Sequence, residues 1–361
     1  MNPYFPEIKK NFGFGMMRLP MAGEAVDLEQ TARMVDAFLE AGFNYFDTAH
    51  PYIQGRSETA LRECLTRRYP RDRYVLADKL SASCFTREEE ILPLFEKQLA
   101  ACGVDYFDFY LIHANSEKHH EFYTATRSYD IARELKAQGK IRHVGMSFHD
   151  SAEVPDRILT DRPELEFVQL QLNYVDWEDP NVQARQCWEV CRKHTKPIVV
   201  MEPVKGGSLV NLPEKAMEGM TASPASYAIR YAAGTEGVFM VLSGMSNQAQ
   251  MEDNLSYMTD FTPLNDAEQQ LITRVRTLYQ AQHRIPCTAC RYCTDGCPAG
   301  IPIPEIFACM NDKRQNKNEP EKTYAAFAHN ASACVGCGQC EEVCPQHLKI
   351  RDLLTEIAGE F

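Results

Sequence analysis

Eight cysteines in the last quarter of the chain have the spacing of iron ligands. One run reads Cys287-x2-Cys290-x2-Cys293-x3-Cys297-Pro298, and a second reads Cys334-x2-Cys337-x2-Cys340-x3-Cys344-Pro345. Thiolates at successive two-residue gaps wrap one corner of a cube, which suits a 4Fe–4S cluster. Zinc also accepts C-x2-C pairs, but it needs four ligands in two separated pairs and has no use for these triplets. The chain has 361 residues and 14 cysteines, nine of them between 287 and 344, and its first residues lack the basic start and apolar stretch expected of a secretion signal. That distribution excludes a disulfide scaffold. Cys309 lies outside both runs and reads as a packed thiol, as do the isolated Cys64, Cys84 and Cys102. Cys187 and Cys191 share a helix face with His194 nearby, but no second ligand pair accompanies them, so they read as core.

Each run resembles the bacterial ferredoxin motif, in which the fourth cysteine crosses to the other cluster. The resemblance implies Cys287, Cys290, Cys293 and Cys344 on one 4Fe–4S cluster, and Cys334, Cys337, Cys340 and Cys297 on the other. The intervening Ile303–Ala333 reads as helical, so the module is similar to the α-helical ferredoxins of multi-centre oxidoreductases.

The preceding residues supply the larger scaffold. Short apolar runs occur at Phe12–Met17, Asn44–Asp47, Tyr74–Lys79, Phe107–His113, His143–Ser147, Phe167–Leu172, Pro197–Met201 and Val238–Ser243. Helical patterns separate them: Leu28–Ala41, which Gly42 stops, then Ser57–Arg67, Arg87–Cys102, Tyr129–Gln138 and Asn181–His194. Strand–helix alternation predicts parallel strands with crossover helices, and eight units in this length predict an α/β (β/α)8 TIM barrel. A doubly wound sheet is the alternative. An amphipathic helix over Asn265–Gln282 ends at Pro286, so the barrel domain is expected over 1–282 and a small C-terminal α-helical ferredoxin-like domain over 283–361.

Chemistry in such a barrel belongs where strands end. Asp47, Lys79 and His113 end consecutive strands, and Tyr52 follows the first of them. Together with Gly15-Met-Met-Arg-Leu-Pro20, Asn44-Tyr-Phe-Asp-Thr-Ala49, Gly55-Arg-Ser-Glu58, Gly139-Lys-Ile-Arg-His-Val-Gly-Met-Ser147 and Gln169-Leu-Gln-Leu-Asn-Tyr174, the ordered series resembles the aldo/keto reductases. The resemblance implies a tetrad of Asp47, Tyr52, Lys79 and His113. Tyr52 would exchange a proton with the substrate oxygen. A free phenol ionises near ~10, and a neighbouring ammonium favours its phenolate. Asp47 would hold Lys79, and His113 would polarise the carbonyl.

The same resemblance implies a nicotinamide cofactor. Ser147 and Gln169 match the carboxamide contacts, and Met201 stands at the stacking position. The adenine end would lie along Ser243–Asn254, with Gly244, Ser246, Gln250, Asp253 and Asn254 as contacts. Gly244 and Gln250 stand where NADPH-preferring members carry cations, which leaves both NADH and NADPH open. Phe148 replaces a common asparagine. Flavin stays open as well, because barrels bind it without a motif.

Net charge is −12, which excludes general nucleic-acid binding, and the stretch Asp312–Glu319 is mixed in sign. No apolar run reaches 18 residues, so no membrane span is expected, and the N-terminus predicts the cytoplasm. The leading expectation is an iron–sulfur oxidoreductase acting on a small carbonyl or alcohol, with clusters relaying electrons to a ferredoxin-like partner. An electron-transfer or redox-sensing protein with a scaffold barrel is the alternative, and purely structural clusters a third. Trp177, His119 and His120 are expected at the pocket entrance, while His50 reads equally as a pocket or a loop-packing residue.

Overall fold

A computed structural model describes residues 2–361. The eight apolar runs form eight parallel strands: β1 (Phe12–Gly15), β2 (Tyr45–Asp47), β3 (Val75–Leu80), β4 (Phe107–Asn115), β5 (Ile141–Phe148), β6 (Val168–Gln171), β7 (Ile198–Met201) and β8 (Val238–Ser243). Each pairs with its sequence neighbours, and β1 pairs with β8, so the sheet closes into a barrel. The (β/α)8 expectation holds and the doubly wound alternative falls. Closure leaves no strand edge, and nearly every strand residue is buried.

Aromatic side chains fill the barrel at the strands' N-terminal ends. Phe5 packs against Phe109 (5.0 Å between ring centroids) and Phe239 (4.8 Å). Gly145 makes room there, since a Cβ would lie 2.6 Å from the Phe167 ring. This packed end is stability, and it leaves the C-terminal ends of the strands free for polar groups.

Helix Leu28–Glu40 begins at Asp27, whose side chain accepts the Gln30 N–H, and ends at Gly42 with φ +85°. A hairpin at Met21–Ala22 and Ala25–Val26 precedes it. By compactness the chain groups into two units. The first runs to Pro203 and includes Thr221–Glu268; the second comprises Val204–Met220 and Gln269–Phe361.

The second unit has its own apolar core, which includes Ile285, Ile303, Ile306, Phe307, Ile350, Leu354 and Ile357. Within it the expected helix over Ile303–Ala333 is corrected to Ile303–Arg314, Pro320–Ala325 and a short turn at Ala331–Ala333. Asn316, Asn318 and Glu319 take positive φ, and Pro320 disfavours helical backbone at the residue before it.

Candidate functional site

Strand geometry delivers three of the four sequence-predicted polar groups, and a turn delivers the fourth. Asp47 ends β2, Lys79 lies at the end of β3, and His113 lies in the C-terminal half of β4. Beyond β2 and residues 48–51, Tyr52 opens a turn whose next three residues, Ile53, Gln54 and Gly55, all take positive φ. The structure brings all four together. Lys79 is fully buried, and its Nζ donates to Asp47 Oδ1 (2.6 Å) and to the Thr48 carbonyl (2.7 Å). The same ammonium lies 4.8 Å from the Tyr52 ring centroid. The Tyr52 and His113 rings meet edge-on at 6.0 Å.

The electrostatics follow from burial. Burial pushes the Asp47 carboxyl up while the Lys79 ammonium pulls it back, and Asp47 Oδ2 has no hydrogen-bond partner among the described residues. Burial, helped by the Lys79 charge, holds His113 well below its ordinary value, so the ring is neutral. Its Nδ1 lies 2.5 Å from Ser81 Oγ, and its Nε2 has no protein partner among the described residues.

The positions assigned to nicotinamide cluster on β5, β6 and β7. Ser147 and Gln169 are register partners on β5 and β6, and Ser147 Oγ accepts the Ala114 N–H at 2.7 Å. Gln169 Nε2 donates to Met201 Sδ at 3.6 Å, while its Oε1 is buried with no donor. A lone buried carbonyl beside a serine fits the N–H groups of a carboxamide, so these residues suit the nicotinamide head. In the Ser243–Asn254 segment, Asn254 accepts from Ser243 (2.8 Å), Asp253 from Ser223 (2.9 Å) and Gln250 from the Ser246 N–H (2.7 Å).

One feature escaped the sequence reading. The stem of Arg18 covers Gly244, within 3.2 Å of where a Cβ would sit, and its guanidinium pairs with Glu202 at 3.4 Å. A cation therefore does approach this end of the site, and its presence in Gly15–Pro20 was the available signal. His120 turns inward, its Nδ1 2.9 Å from Tyr129 Oη, and His119 Nδ1 meets the Ala114 carbonyl at 2.6 Å. Trp177 packs on Trp188 at 5.6 Å. His50 is bound to Glu58 (2.8 Å).

The cysteine loops repeat one backbone. Ala289 and Arg291 follow the first two ligand positions with φ of +53° and +68°, and Gly336 and Gly338 follow theirs with +74° and +81°. Left-handed residues at these places curl the chain around a sulfur, as where the Ala289 N–H meets Cys287 Sγ at 3.4 Å. One hollow is lined by Cys287, Cys290, Cys293 and Cys344, with Ile303 and Phe307. A second is lined by Cys297, Cys334, Cys337 and Cys340, with Ile301 and Leu354. Four soft thiols in a largely apolar cavity fit a 4Fe–4S cluster. Cys309 is packed, its Sγ donating to the Pro320 carbonyl at 3.0 Å, and Cys187 and Cys191 are buried in the barrel unit.

The aldo/keto reductase family model matches residues 11–277. The chain belongs to the aldo/keto reductase family. A 4Fe–4S dicluster domain matches residues 286–348, so this member of a family of oxidoreductases carries an iron–sulfur domain. An aldo-keto reductase of Mycolicibacterium smegmatis is 31% identical over 143 residues, 39% of this chain and 50% of that protein. The chain thus matches about half the length of that relative. A 9,11-endoperoxide prostaglandin H2 reductase of Trypanosoma cruzi is 24% identical over 252 residues, 66% of this chain and 82% of that protein. Among solved structures, the holo form of an aldo-keto reductase from Bacillus halodurans superposes with a TM-score of 0.60 at 24% identity, covering 74% of this chain and 92% of that one. A Klebsiella pneumoniae aldo-keto reductase in complex with NADPH gives 0.60 at 18%, covering 74% and 95%. Both likenesses show the fold. Among the described residues no helix is long and apolar enough to cross a membrane.

Proposed function

We propose that the barrel interconverts a small carbonyl compound and its alcohol, with Tyr52 as the proton donor and acceptor and NADH or NADPH as the cofactor. The observation that carries this reading is the fully buried Lys79, which links Asp47 to the Tyr52 ring, with neutral His113 across from it. A pure scaffold has no need of a buried ammonium so placed.

Nicotinamide, when bound, gives hydride to the carbonyl carbon or takes it from the alcohol. Tyr52 gives its proton to the substrate oxygen in reduction and takes it back in oxidation. The Lys79 ammonium steadies the resulting phenolate, and Asp47 keeps that ammonium in place. If the Ser81 hydroxyl donates to Nδ1, His113 carries its proton on Nε2 and offers a neutral donor to the substrate oxygen. Positioned acid–base groups of this kind contribute roughly 10²–10⁴ in rate.

Cys287, Cys290, Cys293 and Cys344 would hold one 4Fe–4S cluster, and Cys297, Cys334, Cys337 and Cys340 the other. Each cluster takes one electron at a time, which suits exchange with a ferredoxin-like carrier. The test is the visible spectrum of anaerobic protein before and after NADH or NADPH. Bleaching of the iron–sulfur band supports a shared electron path, and a flavin spectrum would identify the group between two-electron and one-electron chemistry. Bleaching by dithionite alone removes nicotinamide as the clusters' source of electrons.

A further inference from the structure

Behind the Lys79 strand lies a second group of titratable side chains that the proposed reaction does not use. Glu58, on helix Arg56–Leu61, and Asp78, on β3, are both fully buried. With Cys102 of helix Ile91–Cys102, their ligand atoms lie within 4.8 Å of one another. Asp78 Oδ1 accepts from the Lys79 N–H (2.7 Å) and Gln98 Nε2 (3.1 Å), and Cys102 Sγ approaches Asp78 Oδ2 at 3.7 Å. Gln98 is fixed in turn by the Tyr110 hydroxyl (2.6 Å) and by its bond to the Lys79 carbonyl (2.9 Å).

Glu58 differs. Its Oε2 meets His50 Nδ1 at 2.8 Å, and its Oε1 is buried with no hydrogen-bond partner among the described residues, the nearby Gln98 Nε2 being bound to Asp78 Oδ1 and the Lys79 carbonyl. A carboxylate oxygen without a donor beside another buried carboxylate is an acceptor facing an acceptor, costly unless a proton lies between them. The groups facing the pair supply no cation in contact: His50 from the loop after β2, Lys79 from β3, Lys97 and Cys102 from helix Ile91–Cys102, Tyr110 from β4, and Cys84. The Lys79 ammonium is committed to Asp47. Burial pushes Glu58 up to about 7, and burial with the Glu58 charge holds Asp78 well above the carboxylate range. His50 is half-buried, and its Nε2 has no protein partner among the described residues.

We propose that Glu58 and Asp78 share a proton at neutral pH and that His50 connects this buried store to solvent at the mouth of the barrel. A proton arriving at His50 Nε2 releases the Nδ1 proton to Glu58 Oε2, which neutralises the pair's remaining negative charge, and the reverse movement returns it, so the imidazole holds one proton before and after each transfer. Its use would be to return, through water, the proton that Tyr52 gives up in carbonyl reduction. That use rests on the function proposed above, whereas the store itself does not. In this scheme His50, Glu58 and Asp78 act through Tyr52 and are positioning residues.

The test is infrared spectroscopy of the full chain, read at the carbonyl stretch of a protonated carboxylic acid. The unmodified protein is expected to keep that band at pH 7, and Asp78→Asn to displace it. His50→Phe should keep the band but slow its exchange into D2O roughly tenfold or more. Tyr52→Phe should change neither, so failure of the Tyr52 assignment and failure of the store are read separately. The proposal is overturned if the unmodified protein has no such band, if His50→Phe exchanges at the parent rate, or if metal analysis finds a divalent ion beyond the cluster iron that Cys102→Ser abolishes. Misfolding of Asp78→Asn would leave the parent band and the His50→Phe rate to decide.

Discussion

Replacing Lys79 with Met removes the buried ammonium while keeping an unbranched chain of similar length. In the native chain Lys79 Nζ sits 2.6 Å from Asp47 Oδ1, with Lys79 fully buried and Asp47 nearly so. The variant leaves Asp47 buried without a counter-charge, a change that costs about 3–5 kcal/mol when the carboxylate must stay ionised. The carboxyl can escape by taking a proton, because burial already pushes it up. An acid raised in the folded state keeps its stability below its unfolded value and loses it as pH rises toward the folded value. The penalty relative to the parent should therefore be small near pH 4 and grow by about 1.4 kcal/mol per pH unit above that, until it reaches the full cost. Near pH 8 the barrel's melting temperature should drop by roughly 10 °C, read by circular dichroism on anaerobic protein at several pH values. Turnover should fall by roughly 10²–10⁴ at the same time. Equal melting of variant and parent at pH 8 would refute the pair as described.

The remaining predictions concern other residues of the two units. Tyr52→Phe should lose roughly 10²–10⁴ in turnover with little change in melting, since only a hydroxyl is removed; unchanged turnover with every competent substrate ends the Tyr52 assignment. Cys344→Ser should damage the cluster held by Cys287, Cys290 and Cys293 and spare the other, seen as loss of one electron paramagnetic resonance signal. The opposite loss would reverse the crossed ligation. Gly206→Ala puts a Cβ 2.3 Å from the Thr288 carbonyl at a φ of +61°, so it should distort the Cys287–Cys290 loop and shift that cluster's signal. A parent-like spectrum would show that the loop gives way freely. Glu58, pushed up to about 7, costs stability as pH rises from the ordinary carboxylate range to about 7, and Glu58→Gln should flatten that part of the stability profile.

Local order made much of this protein legible. The cysteine triplets are short-range patterns, and short loops can place three sulfurs around one hollow whatever surrounds them. Eight alternating runs carry the barrel in the same way, because each strand pairs with its sequence neighbour until the last meets the first. Asp47, Lys79 and His113 were found because strand ends of a barrel converge. The break before Pro320 was also written locally, in Asn316, Asn318 and a residue preceding proline, and the apolar pattern of Ile303–Met310 obscured it.

Other features arise only where distant segments meet. Glu58 and Asp78 are separated by helix and loop, and only the closed sheet buries them face to face beside His50. Arg18 covers Gly244 because β1 and β8 are neighbours across the closure. Val204–Met220 follows a barrel strand in sequence yet groups with the cysteine-rich unit, where Gly206 lies against Thr288. The sequence by itself determined the alternation of strands and helices, the polar strand ends and the sulfur spacing, since each depends on neighbours along the chain. Tertiary structure alone decided which carboxyl groups share a cavity and which glycine must lack a side chain, because both depend on how closely remote backbones approach.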